Sequence, residues 1–215
     1  MAIQVNGTTV INNSRGLTNI TSLDATTTAT ISAAGGGGGW ELLQNTDITS
    51  DISYIEYNFP AGYSEFRFIL NRFKTVQTSA YSYDVLRARL KNSSGTLITT
   101  GGEYEYQRSN TSSCTPDSSW SNIGILGTSQ STASGDPAQT FVIDVVAPRR
   151  SDVCTTFISH AIGQWANGNS PERDGYIAAG VIKTAQDNTG IRFYGQSYNI
   201  DSTSDEWLVY GVPDA

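Results

Sequence analysis

The sequence predicts an all-β chain, an antiparallel sandwich of jelly-roll type behind a short extended N-terminal segment. Three observations carry that expectation. Only 15% of the 215 residues are charged, while 11 Tyr, 7 Phe and 4 Trp accompany abundant Ser, Thr, Asn and Gly. That mixture suits short strands joined by turns. Apolar and polar residues alternate in about ten short runs, and turn clusters such as Asn92-Ser93-Ser94-Gly95 and Asp187-Asn188-Thr189-Gly190 separate them. Ala, Leu, Glu and Lys do not dominate, which argues against a helical bundle.

The N-terminal segment is read as residues 1–34. Residues 3–11 alternate around Asn6-Gly7, a pair that tolerates positive φ at both central turn positions, so a small hairpin is expected. Leu17, Ile20 and Leu23 then recur every third position. A strand repeats every two residues and an α-helix about every 3.6, so this spacing fits a winding strand or 3₁₀-like path. Such a path buries little by itself and needs partner chains. Five consecutive glycines, Gly35 to Gly39, have no side chains to pack and predict a flexible linker. The sandwich is then expected over residues 40–215.

Within it, strands are expected at 40–43, 52–59, 63–70, 81–90, 97–106, 141–146, 153–160, 176–183, 191–194 and 207–210. Pro60-Ala61-Gly62 marks a turn between the second and third. Arg87 to Leu90 is ambiguous by period alone. The expected core uses Tyr54, Phe66, Phe68, Leu70, Val142, Ile143, Val145, Ile177, Val181, Phe193, Leu208 and Tyr210. Residues 109–135 are polar apart from Trp120, Ile123, Ile125 and Leu126, and read as a long loop.

The charge is −7, which repels nucleic-acid phosphates. The one basic doublet, Arg149-Arg150, reads as a solvated corner. No apolar stretch of about 18 residues is present to insert in a membrane, and the N-terminus lacks the basic start and apolar core of a signal peptide. Cys114 and Cys154 fit no compact zinc spacing; either a disulfide or two free thiols is compatible with their positions. His160 stands at the end of an alternating run without a nucleophile elbow or metal cluster near it, and the glycine run lacks the lysine of a phosphate-binding loop. No catalytic residue, cofactor or metal is therefore expected. Glu103 and Glu105 could serve a glycosidase as paired acids, but alternate with Tyr104 and Tyr106 as a solvent face does with a core face. Tyr81, Tyr83, Tyr104, Tyr106, Trp120 and Trp165 are candidate ligand contacts, since flat amphipathic rings carry much interface energy.

Two stretches resemble bacteriophage proteins. Asn6-Gly7-Thr8-Thr9-Val10-Ile11-Asn12-Asn13-Ser14-Arg15-Gly16-Leu17-Thr18-Asn19-Ile20 is similar to the V-I-x-x-S-R-x-L-x-N-I segment of tail-fibre and other virion proteins of marine and cyanobacterial phages. Ile191-Arg192-Phe193-Tyr194 followed by Leu208-Val209-Tyr210-Gly211 resembles a C-terminal ending of phage structural proteins, although Asp205-Glu206-Trp207 stands where those have small residues. Trp40-Glu41-Leu42-Leu43 and Phe59-Pro60-Ala61-Gly62-Tyr63 also look like these domains; residues 81–174 carry no such likeness. The resemblance implies a trimeric virion fibre whose docking and oligomerisation residues include Ile3, Val5, Val10, Ile11, Arg15, Leu17, Ile20 and Leu23. Its partners would be copies of itself, other tail, portal or capsid proteins, and a host surface glycan. A capsid decoration protein and a glycan-degrading virion enzyme are the alternatives.

Overall fold

The computed structural model describes residues 3–5, 8–11, 39–76, 84–110, 113–129, 139–167, 170–202, 204 and 206–214. The chain divides into two compact units, Met1–Gly39 together with Ala215, and Trp40–Asp214. In the first, β1 (Ile3–Val5) and β2 (Thr8–Ile11) pair antiparallel with Val5 opposite Thr8, the hairpin expected around Asn6-Gly7. The three-residue apolar period and Gly35 to Gly38 lie outside the described residues.

The second unit is all β. Its strands are β3 (Glu41–Asp47), β4 (Ile55–Asn58), β5 (Tyr63–Phe73), β6 (Asp84–Lys91), β7 (Tyr104–Asn110), β8 (Ser113–Trp120) and β9 (Ile123–Ser129), followed by β10 (Gln139–Val146), β11 (Thr156–Asn167), β12 (Ser170–Ile182), β13 (Gly190–Gly195) and β14 (Glu206–Pro213). An eight-stranded sheet runs β3-β14-β5-β10-β11-β12-β7-β8, and a four-stranded sheet runs β4-β13-β6-β9. When the hairpins β7–β8 and β11–β12 are set aside, eight strands remain. Numbered afresh in chain order, they lie 1-8-3-6 in one sheet and 2-7-4-5 in the other, which is the jelly-roll wrapping. Both extra hairpins extend the same sheet beyond β10.

Alternation builds the core. Phe66, Phe68 and Leu70 of β5 point inward, and Phe73 follows after three residues instead of two. The extra residue is a β-bulge: Gln139 pairs with Phe73 and Phe141 with Leu70, and Arg72 takes φ 43°. The bulge returns Phe73 to the inner face, where its ring meets Phe141 edge-on at 5.5 Å. Aromatic pairs also lock the two sheets together. Phe68 contacts Tyr57 at 5.6 Å and Phe193 at 5.0 Å, and Phe66 contacts Phe59 at 4.6 Å. Each pair adds about 0.5–1.5 kcal/mol beyond the area it buries. Burial, with a smaller effect from Tyr63, pushes the Tyr57 phenol up to about 12.

One close approach gives a direct test. A Cβ on Gly190 would sit 2.7 Å from the Tyr57 carbonyl oxygen and 3.1 Å from Asn58 Oδ1. The carbonyl belongs to a paired strand and cannot swing away. Gly190→Ala is therefore expected to destabilise the sandwich by about 1–3 kcal/mol, as overpacking does. An unchanged denaturation midpoint would contradict the geometry.

The structure corrects several expectations. The long loop at 109–135 contains β8 and β9, and the strand expected from 97 begins at Tyr104. β11 starts at Thr156 and runs on to Asn167, and β12 starts at Ser170. Tyr54 and Ile177, expected in the core, are exposed. Val142, Val181, Leu208 and Tyr210 are only half-buried; their neighbours Ile143, Ile182 and Val209 take the inward places. In the runs holding Val142, Ile177, Val181, Leu208 and Tyr210 both phases of the alternation are apolar, so period alone does not say which face is inside; Tyr54 shares its phase with the polar Glu56 and Asn58. The corner at Arg149-Arg150 is ion-paired, Arg149 with Asp187 at 3.3 Å and Arg150 with Asp152.

Candidate functional site

The outward phase of the eight-stranded sheet forms the most distinctive described surface. Strand register sets its members in rows, because opposed residues point to the same side of a sheet. One row reads Leu208, Ile69, Val142, His160, Ile177. The next reads Leu42, Tyr210, Arg67, Asp144, Ile158, Ala179. Leu42 and Ile177 are each 54% exposed and Ile158 43%, so large aliphatic side chains stand in solvent across several strands.

The charges on these two rows cancel. Arg67 donates to both oxygens of Asp144, Nε to Oδ1 at 2.6 Å and Nη2 to Oδ2 at 2.8 Å. These hydrogen bonds to the Asp144 carboxylate hold the guanidinium more firmly protonated than usual, against the opposing effect of burial. The Trp40 ring lies over the guanidinium, 4.6 Å from its carbon, and adds a cation–π contact. A bidentate pair capped by an aromatic ring is fixed in place. The row beyond holds Val212, Glu65, Val146, Thr156, Val181 and Glu105, which puts carboxylates at the rim. In a chain of charge −7, the centre of this face is neutral and apolar.

The residues singled out from sequence fall in several places. Ile3, Val5, Val10 and Ile11 lie in the β1–β2 hairpin, while Arg15, Leu17, Ile20 and Leu23 are outside the described residues. Tyr81 and Tyr83 are also outside them. Tyr106, Trp120 and Trp165 lie on β7, β8 and β11 by backbone. Tyr104 is corrected: it is fully buried, its hydroxyl accepts the Leu90 N–H at 3.0 Å and donates to the Ile98 carbonyl at 3.1 Å. It is a core residue, closed to any ligand. Glu105 is exposed, and Glu103 lies in the turn before β7, where its Oε2 accepts the Thr184 hydroxyl at 2.8 Å. Cys154 is a free thiol donating to the Lys183 carbonyl at 3.4 Å; Cys114 lies on β8 opposite Ser109. His160 is exposed between Val142 and Ile177. Among the described residues no group of three or more His, Cys, Asp or Glu is placed to hold a metal ion, and no helix is long and apolar enough to cross a membrane.

Sequence reasoning missed the apolar outer face, although its signal was present. Val142-Ile143 and Leu208-Val209-Tyr210 are apolar in both phases, as a sheet covered on both faces would be.

No family model matches the chain, and no curated protein matches it. Among solved structures, the chain is similar to the CBM2 module of the evolved Dit of Lactobacillus casei BL23 phage J-1, at 12% identity over 83% of this chain and 81% of that chain, with a TM-score of 0.18. A likeness at that score bears on neither fold nor role.

Proposed function

We propose that this chain is a non-catalytic structural protein of a bacteriophage virion, a fibre-type subunit that assembles as a homotrimer. In this reading residues 1–34 dock on the particle and the sandwich is presented outward. The observation that carries the structural role is the neutral, apolar outer face of the larger sheet. Copies of an acidic chain repel one another, and they approach with least penalty where no net charge is met. Six strands about 4.8 Å apart, with three outward rows about 6.8 Å apart, offer roughly 600 Å². That approaches the ~800 Å² per partner of a stable interface, even though its third row carries the rim carboxylates Glu65 and Glu105, and it supports another copy of the chain as the occupant of this face. The resemblance of residues 6–20 to the virion segment supports the particle as the site of assembly.

The test is incorporation. Particles assembled with a chain lacking residues 1–34 are expected to contain none of it by immunoblot, and density maps of intact particles should place the wild-type N-terminus against a tail, portal or capsid neighbour. Continued incorporation of the truncated chain would refute the anchor.

A further inference from the structure

The outer face of the four-stranded sheet is electrostatically the opposite of the whole chain. Alternation points Arg87, Arg89 and Lys91 of β6 outward, with Arg192 and Tyr194 of β13 and Glu56 and Asn58 of β4. Register sets Arg192 between Glu56 and Arg89, and Tyr194 beside Arg87. The fourth strand, β9, contains no charged residue. Four of the chain's 13 cations thus share one face with a single carboxylate among the described residues of these strands, in a chain whose net charge is −7.

Glu56 is shared. It accepts Lys91 Nζ at 2.6 Å, and Arg192 through Nε at 2.8 Å and Nη2 at 2.6 Å. Arg89 donates Nε to a neutral partner, the Ser121 carbonyl, at 3.1 Å. Two aromatic rings are interleaved with these cations. The Arg192 guanidinium carbon sits 4.0 Å from the centre of the Tyr54 ring, and that of Arg89 lies 5.2 Å from the centre of Tyr194. Tyr54 remains 43% exposed. The Tyr194 hydroxyl is buried with no hydrogen-bond partner, a costly arrangement in a protein interior, and it lies within the field of Arg89 and Arg87.

Guanidinium groups receive carboxylate and sulfate oxygens through paired N–H donors, and an exposed tyrosine offers a flat surface to a pyranose ring. Three strands and four residues along them span roughly 10 by 14 Å, enough for a short oligosaccharide. A nucleic acid fits poorly, because its binding needs many phosphates neutralised and the rest of this chain repels them. We propose that this face binds an anionic glycan, with Arg89, whose Nε partner is a neutral carbonyl, receiving an acid group and Tyr54 stacking on a sugar ring. The assignment deepens the reading of the sandwich as an outward-presented head.

The test uses the full chain and calorimetric titration with a heparin oligosaccharide (sulfated), an oligogalacturonate (carboxylated), dextran and oligo-dT. At least one anionic glycan is expected to bind, more weakly as salt is raised, and dextran is not. Arg89→Gln is expected to weaken that binding about tenfold, as loss of a charge-assisted contact does. Tyr54→Ser, at an exposed position, should weaken it several-fold while keeping the unfolding midpoint. Absence of binding to both glycans, unchanged affinity in both variants, or oligo-dT binding as tightly as the glycans would each overturn the assignment. Glycan titration and particle incorporation are separate readouts, so a failure of one is visible without the other.

Discussion

Tyr104→Phe is expected to lower the unfolding free energy by about 2–4 kcal/mol while leaving ligand binding unchanged. The ring would keep its place, so the cost comes from the two backbone groups its hydroxyl serves. The Leu90 N–H donates to it at 3.0 Å, and the Ile98 carbonyl accepts from it at 3.1 Å. Tyr104 is 0% exposed, and burial, only partly offset by the Leu90 bond, raises its phenol far above the ordinary tyrosine value. Water cannot replace the lost oxygen there, and each stranded buried group costs about 1–3 kcal/mol. The bonds also join the sheets, since Tyr104 opens β7 of the larger one and Leu90 lies on β6 of the smaller. Urea denaturation of Tyr104→Phe beside Tyr63→Phe makes the comparison. Tyr63 donates to Glu41 at 3.0 Å in an exposed pair, which should contribute less than about 1 kcal/mol. Equal losses in the two variants would show that the buried bonds carry no special weight.

How far the sequence reveals this molecule depends on which physical signal each element carries. β4, β5 and β13 alternate cleanly and are bounded by turn residues, so the sandwich is legible in them. β8 is different. Ser113-Cys114-Thr115-Pro116-Asp117-Ser118-Ser119-Trp120 shows no apolar period and contains a proline. It is a strand because it pairs with β7 and, among the described strands, stands at the end of the sheet, where proline is tolerated on the side that faces no partner. The far ends of β11 and β12 are likewise set by pairing with each other, which is tertiary information. The basic face was half legible. Arg87, Arg89 and Lys91 alternate on one strand, but Arg192 and Tyr54 reach them only through the jelly-roll wrapping. The inward phases at Ile177, Val181, Leu208 and Tyr210 were misread for a reason that itself concerns function. A strand apolar on both faces signals a second burial, and the jelly roll supplies only one.

That second burial leads to the other large effect. Ile158→Asp combined with Ile177→Asp is expected to convert the assembled chain to monomers in sedimentation velocity. Both side chains stand in solvent in the isolated sandwich, where an aspartate costs little. In an interface formed by this face the same carboxylates would be removed from water with no lysine or second arginine among the described residues of these two rows to receive them. Arg67 is held by both oxygens of Asp144, and His160, beside Ile177, offers only an imidazole. An unpaired buried charge costs several kcal/mol, and two of them exceed what roughly 600 Å² of moderately packed surface leaves in net affinity. The core beneath is closed by Phe66, Phe68, Phe141 and Ile143, none of which the substitutions touch. The monomeric variant should therefore keep its strand signature in far-ultraviolet circular dichroism. Its unfolding midpoint should no longer depend on protein concentration, whereas that of the wild type should rise with concentration as association stabilises the native state. A wild-type chain that sediments as a monomer, or a double variant that still assembles, would remove this face from the interface.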